Sequence, residues 1–415
     1  MKIMYEKFKK AENFECFWKE IWKMSISKKV LLAIDVGNSM TKANWGTSVN
    51  THQTMEQNNE FYVTGTDVLD TIDTSEIGSE GDLTTSETPT SVVFTLDSNN
   101  QNLKDFLDLP KRVFGGTDAV IQYEHTVIRP SQGSKADMET TYYSIFSILY
   151  RISNILGGVD ELNVSLGVCL PLADVDMDKD SLESRLVGTH KLGNGEKTIT
   201  INILKTYSVG ECFASSISTL YTMNGKKKAK LDPSLTDGKY VVVNIGAGTT
   251  DVALFNNGKF VEGSKDTFQI GGNNVREMLI TELYKKFRFR VSLQSAETAI
   301  ATGKVKVGSR YVKVLSTIDK VKRAFSVQLM DLVKRYLTQI SQPLQELGAV
   351  LCVGGGALEG NYEDESGITP IESTASYIND YVLETSPFTK VIAHDNPRYA
   401  DADGCWIILC VKEGA

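Results

Sequence analysis

The sequence predicts an α/β fold of two similar domains facing each other across a central ligand cleft. Three observations carry this expectation. A strand, a glycine turn and a second strand recur in the same order near 30–46 and near 240–260. A third apolar run, Ala349–Val353, also ends in glycines, Gly354-Gly355-Gly356. The 415 residues exceed what one core accommodates, since single cores stop growing near roughly 250–300 residues. A cleft between two such domains is a usual place for a ligand.

Taken in order, residues 2–23 have helical periodicity. Met4, Phe8, Ala11, Phe14, Trp18, Ile21 and Trp22 recur at three- and four-residue spacing, with Lys and Glu on the other side. Such a helix is an interfacial membrane anchor, a docking or oligomer helix, or an upstream extension unused in the cell, with Met24 a second candidate start. The last two readings are favoured. Val30–Asp35 is an apolar run that ends in Asp and Gly, as a buried strand entering a tight turn does. Residues 46–90 are polar and read as loops with a small peripheral subdomain. Glu139–Leu156 has helical spacing, and Leu162–Leu170 is a buried strand stopped by Pro171. Gly193–Ser208 alternates Thr, Ile and Val around Asn-Gly, a hairpin pattern. Tyr240–Phe255 repeats the opening strand–turn–strand grammar, 275–345 is mainly helical, and Cys405–Val411 is a final core segment. The expected divisions are an N-terminal extension (1–28), a first domain (29–238, small subdomain about 46–115, completed by 397–415) and a second domain (239–396, peripheral subdomain about 271–345).

The net charge of −8 argues against direct nucleic-acid binding, which needs clustered Lys and Arg. The basic run Lys226–Lys230 reads as a solvated loop. The 6 cysteines contain no C-x-x-C pair, and Cys169, Cys352, Cys405 and Cys410 sit in apolar runs, which fits a reducing cytoplasm. The 4 histidines lie far apart, so no zinc site is expected. No apolar run reaches the roughly 18–20 residues that span a bilayer, and the first residues lack the apolar stretch of a signal peptide.

The chemistry concentrates in the glycine turns. In Asp35-Val36-Gly37-Asn38-Ser39-Met40-Thr41-Lys42, glycine lets backbone N–H groups approach phosphate oxygens. Asn38 and Ser39 add side-chain donors, Lys42 adds a positive charge, and Asp35 offers oxygen to the water shell of Mg²⁺. In Asn244-Ile245-Gly246-Ala247-Gly248-Thr249-Thr250-Asp251, Gly246, Gly248, Thr249 and Thr250 offer the same donors from the opposite wall. Gly271-Gly272-Asn273-Asn274 precedes a helical pattern, and a helix N-terminus favours anions or polar groups. No Walker P-loop pattern is present.

The order D-x-G-x-S-x-x-K, G-x-G-T-T-D, G-G-N-N, G-G-G resembles the actin and heat-shock chaperone ATPase superfamily, over about Val30 to Val411. Finer features resemble the ParM-type bacterial actins of plasmid segregation. These are Val127-Ile128-Arg129-Pro130 with Gly133, Gly188-Thr189-His190, Val209-Gly210-Glu211-Cys212-Phe213-Ala214, and Asn396-Pro397-Arg398-Tyr399-Ala400 with Gly404. The resemblance implies an actin-like fold with ATP (or GTP) and Mg²⁺ in the central cleft. It assigns Asp35, Asn38, Ser39 and Lys42 to phosphates and metal, and Gly246, Gly248, Thr249 and Thr250 to the second phosphate loop. Gly272, Asn273 and Asn274 fall near the ribose, Gly355 and Gly356 near the adenine, and Glu297 on the helix beside the adenosine. Glu211 falls where such actins orient the attacking water.

One departure stands out. The second loop usually opens with Asp and here opens with Asn244, which accepts hydrogen bonds without bringing charge. The metal site is therefore expected to lean on Asp35, with Asp251 as a substitute, and hydrolysis to be slow. The implied function is a filament that hydrolyses nucleotide and moves plasmid or phage DNA through a basic adaptor protein. The alternatives are a membrane-associated scaffold, touching lipid through residues 1–23, and a non-polymerising ATPase.

Overall fold

The computed structural model describes residues 27–37, 40–65, 91–116, 128, 133–172, 174–193, 197–357, 360–364 and 367–415. The expected N-terminal helix and the turn residues Asn38 and Ser39 lie outside the described residues.

Two sheets organise the chain. The first contains β1 (Ser27–Val36), β2 (Met40–Gly46), β3 (Gln53–Asn58), β4 (Phe61–Gly65), β5 (Ser91–Ser98), β6 (Lys111–Gly116), β7 (Glu161–Leu170), β8 (Gly188–Gly193) and β9 (Thr198–Gly210). Their spatial order is β3-β2-β1-β7-β9-β8-β5-β6-β4. The second half opens with β10 (Lys239–Ile245), β11 (Thr250–Asn256) and β12 (Lys259–Phe268). A small hairpin follows, β13 (Lys304–Val307) with β14 (Arg310–Lys313). Then come β15 (Ala349–Val353), the paired β16 (Gly360–Asp364) and β17 (Gly367–Ile371), and β18 (Lys390–Ala393). The second sheet runs β12-β11-β10-β15-β18.

The internal echo holds at the level of register. β1 pairs antiparallel with β2 and parallel with β7; β10 pairs antiparallel with β11 and parallel with β15. Asp35 lies opposite Lys42 in the first hairpin, and Asn244 lies opposite Asp251 in the second.

The central strands are continuously apolar because helices cover both of their faces. Along β1, Val30, Leu32 and Ile34 join a core containing the Glu139–Ile155 helix, whereas Leu31 and Ala33 pack against Trp406 and Leu409 of the C-terminal helix (Ala400–Glu413). This alternation is the two-residue period of a strand. β10 repeats it: Val241, Val243 and Ile245 face one core, Tyr240 and Val242 another that includes Cys212 and Leu220 of the Glu211–Leu220 helix. That helix and the C-terminal helix therefore lie between the sheets. They cross so closely that a Cβ on Gly404 would sit 1.8 Å from the carbonyl oxygen of Ala214.

Two expectations need correction and a third an addition. Residues 46–90, read as loops, include β3 and β4, which extend the first sheet at its two edges. β3 begins with solvated polar residues, so its apolar alternation is weak, and β4 is a run of only five residues inside a polar segment. Gly188-Thr189-His190, placed before the hairpin, forms its first strand: β8 pairs with β9 from Gly188 opposite Ile203 to Gly193 opposite Thr198. Residues 275–345, read as mainly helical, also contain the β13–β14 hairpin. Cys169, Cys212, Cys352, Cys405 and Cys410 are free and buried. No helix among the described residues is long and apolar enough to cross a membrane.

Candidate functional site

A cavity of about 510 Å³ opens between the two sheets, within the size range of small-molecule sites. The first hairpin contributes Asp35, Gly37, Met40 and Lys42; the second contributes Asn244, Gly246, Ala247, Thr249 and Asp251. Glu211 and Asp401 line it from between the sheets, Lys135 from the turn before the Glu139–Ile155 helix, and Gly272, Arg276, Glu297 and Gly354 to Gly356 close the far side. Lys265 of β12 joins the halves beside it, reaching the Leu172 carbonyl (3.0 Å) and Asp176 (3.1 Å). Within the first half, Arg398 pairs with Glu56 of β3 (3.0 Å) at the rim.

Buried charges dominate the cavity. Asp35 is 5% exposed and pairs with Lys42 at 2.9 Å and Lys135 at 3.6 Å. Burial opposes its ionisation, but the two ammonium groups outweigh burial and hold the carboxyl below the usual range. Lys135 also donates to Glu211, the first residue of its helix. Burial would lower Lys135, yet Glu211 and Asp35 hold it above the usual lysine range. Glu211 itself is pushed up by burial, with Lys135 opposing and Asp35 adding repulsion. Asp251 is pushed up to about 7 by burial and by Glu211, although Thr267 donates to it. Asp401 is pushed well above the usual carboxylate range by burial, Asp35 and Glu211.

Two outcomes are expected. Lys135→Met leaves Glu211 buried without its cation, which costs about 3–5 kcal/mol when a buried pair is broken; chemical denaturation reads this directly. The raised Asp251 sets a pH dependence of opposite sign to the usual carboxylate. Below about pH 4 it is protonated both folded and unfolded, and costs nothing. As pH rises the unfolded chain ionises first, so ligand-free stability declines until about pH 7, by an amount on the order of a few kcal/mol. Asp251→Asn should flatten that decline; equal slopes in both proteins would contradict it.

The glycine motifs are used differently from what sequence implied. In Gly271-Gly272-Asn273-Asn274, the Gly272 and Asn273 N–H groups donate to the Gly246 and Ala247 carbonyls, at 2.9 and 2.7 Å. Asn274 accepts from the Gly271 N–H (2.8 Å), and Asn273 accepts from Arg276. The helix N-terminus (Gly272–Phe287) is thus docked onto the second turn, and the two amides expected to face an anion are already occupied. Gly271, Asn273, Asn274, Gly248 and Thr250 do not line the cavity. Thr250 is fully buried and donates to the Ile270 carbonyl (2.7 Å). Gly354 has φ +89°, where a side chain is strained, and a Cβ there would meet the Ile245 oxygen at 2.4 Å. Gly356 is equally tight against Ile245, whereas a Cβ on Gly355 would meet, among the described residues, only Arg398 within 4 Å, at 3.8 Å. Glu297, half exposed, pairs with Arg276 at 3.0 Å.

Sequence reading missed Lys135, Arg276 and Asp401. Lys135 follows Gly133 without any pattern of its own, and Arg276 is one of many helical cations. Asp401 carried a faint signal, as an acid in the first turn of a C-terminal helix whose centre is apolar. Its Oδ2 accepts from Asn244 Nδ2 at 2.8 Å and its Oδ1 from Ser215.

Among the described residues no three His, Cys, Asp or Glu side chains gather as a direct metal cage. The cavity nevertheless gathers the hard oxygens of Asp35, Glu211, Asp251 and Asp401, whose mutual repulsion a divalent cation would offset. This suits Mg²⁺, which keeps several waters and shares its ligands with substrate phosphates.

Two α/β halves with matching hairpins facing one cleft are the fold of the actin-like ATPases. Residues 242–360 match the family model of archaeal actin homologue MreB-like proteins, C-terminal part. The chain is similar to the crystal structure of Ta0583, an archaeal actin homolog (TM-score 0.64, 18% identity, covering 92% of this chain and 99% of that one). It is similar to Bacillus thuringiensis ParM with ATP (0.64, 15%, 94% and 100%) and to the actin-like protein Alp7A (0.70, 13%, 94% and 97%). Among curated protein sequences none matches significantly.

Proposed function

We propose that this chain is a ParM-like filament protein that binds and hydrolyses ATP or GTP with Mg²⁺ between its two halves. The observation that carries the reading is the pair of hairpin turns in matching register, which face one cavity together with Lys42, Lys135 and Glu211. Lysines held protonated beside a glycine turn suit phosphate oxygens. Gly37, Gly246 and Thr249 line the cavity at the two turns, and Asn38 and Ser39 are assigned to the first by the resemblance. Gly272, Glu297, Gly355 and Gly356 are placed for the nucleoside end, by the same resemblance. Asp35, Asn244 and Asp251 would hold the hydrated cation, which neutralises phosphate charge when bound. Glu211, buried and pushed toward its protonated form, would orient the attacking water once cation and phosphate rearrange the charges around it.

Head-to-tail contacts between copies are heterologous and produce open filaments. The net charge of −8 fits a filament that reaches DNA through a basic adaptor in plasmid or phage segregation. The membrane-scaffold alternative rests on residues 2–23, outside the described residues. Light scattering and electron microscopy with ATP, GTP and ADP in turn test the proposal. Filaments that appear with triphosphate and shrink as diphosphate accumulates support it. Nucleotide hydrolysis with no polymer over a wide protein concentration range supports the non-polymerising ATPase instead.

A further inference from the structure

The matching register raises a question of charge. The residue that enters the first turn is a carboxylate, Asp35, and the one that enters the second is an amide, Asn244. A carboxylate nevertheless stands beside Asn244, delivered from elsewhere in the chain. Asp401 is 6% exposed, lines the same cavity, and takes the Asn244 Nδ2 hydrogen at 2.8 Å. It sits in the first turn of the C-terminal helix, where the helix dipole favours a negative group.

The placement is tightly built. The C-terminal helix packs on the first sheet through Cys405, Trp406 and Leu409, and the Gly404–Ala214 approach fixes its distance from the Glu211 helix. Ser215 of that helix holds the other Asp401 oxygen. Asn244 is confined as well, because a Cβ on Gly354 would lie 2.5 Å from its Oδ1. A second pair on the same helix supplies the contrast. Asp403 accepts from Asn44 of β2 at 2.9 Å, but Asp403 does not line the cavity.

We propose that Asp401 provides the cleft with the carboxylate that residue 244 lacks, and that Asn244 acts as its orienting donor, so that the two together serve the cation accompanying the nucleotide. This rests on the nucleotide-binding reading above. Each Asp401 oxygen uses one lone pair on its protein donor and keeps another for a water or cation. The acid stands on a helix of the other half rather than at the strand end, and its hydrogen bond with Asn244 joins the two halves.

The test exchanges the two groups. Wild type, Asp401→Asn, Asn244→Asp, the double exchange and Asp403→Asn are titrated with a fluorescent ATP analogue over a range of Mg²⁺ concentrations, with turnover and thermal stability in parallel. Asp401→Asn should raise the Mg²⁺ needed for half-maximal binding by about 10–100-fold, the range for an outer partner of a metal site. Asn244→Asp sets two carboxylates against each other and should also be impaired. The double exchange restores one acid and one amide, and should return within about tenfold of wild type. Asp403→Asn should alter stability at most, with unchanged Mg²⁺ dependence. The proposal falls if Asp401→Asn keeps the wild-type Mg²⁺ dependence, or if the double exchange is no better than either single change. If Asp401→Asn does not fold, the double exchange, which keeps a donor–acceptor pair in reversed order, still decides. Wild type that binds no nucleotide at any Mg²⁺ concentration overturns the underlying nucleotide reading and this proposal with it, a result distinct from intact binding indifferent to Asp401.

Discussion

Glu211→Gln is expected to bind nucleotide normally and hydrolyse it about 10²–10⁴-fold more slowly, the usual contribution of a positioned acid–base group. The substitution is close to isosteric, so the start of the Glu211–Leu220 helix keeps its packing. Lys135 keeps Asp35 as a counter-charge at 3.6 Å. The loss of one negative charge also relieves Asp251 and Asp401, both of which Glu211 pushes up. Ligand-free stability near pH 8 should therefore hold steady or rise while turnover collapses. Single-turnover hydrolysis, nucleotide titration and denaturation on one preparation separate the two roles. Turnover within about threefold of wild type would remove Glu211 from the chemistry. A large stability loss would mean that its main work is the ion pair with Lys135.

Gly404→Ala is expected to destabilise the fold by about 3 kcal/mol or more, a large effect for a single methyl group. Its added carbon would overlap the Ala214 carbonyl oxygen, at 1.8 Å, so backbone rather than a flexible side chain must move. The helices that would separate carry Glu211, Ser215 and Asp401. Nucleotide affinity should fall along with the denaturation midpoint. Ala214→Gly in the same chain should give little rescue, because the obstruction is main-chain oxygen. A Gly404→Ala protein with wild-type stability would contradict the helix crossing.

The sequence makes the centre of this molecule legible and its edges obscure. β1 and β10 are apolar on both faces, carry a polar residue one place before their ends and turn on glycine, so their runs stand out. Asp35, Lys42, Asn244 and Asp251 follow from those runs, since each hairpin fixes its own register. β3 and β4 lie at the sheet edges; the polar, solvated start of β3 and the shortness of β4 make both read as loop. The Gly271–Asn274 motif marks a helix start correctly, but sequence cannot show that its amides are already spent on the second turn. Lys135 and Asp401 lie more than 90 residues from the hairpin groups they serve at one or another end, and tertiary packing alone delivers them. The amide at 244 was legible as a gap in charge; the acid beside it was not.

We take the cavity between the sheets to be a Mg²⁺-nucleotide site. Calorimetric titration with a non-hydrolysable triphosphate analogue, with and without Mg²⁺, tests it most directly, on wild type and Asp35→Ala. One nucleotide should bind per chain, and Mg²⁺ should strengthen binding to wild type. Asp35→Ala frees Lys42 and Lys135 for phosphate, so it should retain affinity without Mg²⁺ and lose the gain from it. Wild type that takes up no nucleotide at millimolar concentration, with or without Mg²⁺, would contradict the account.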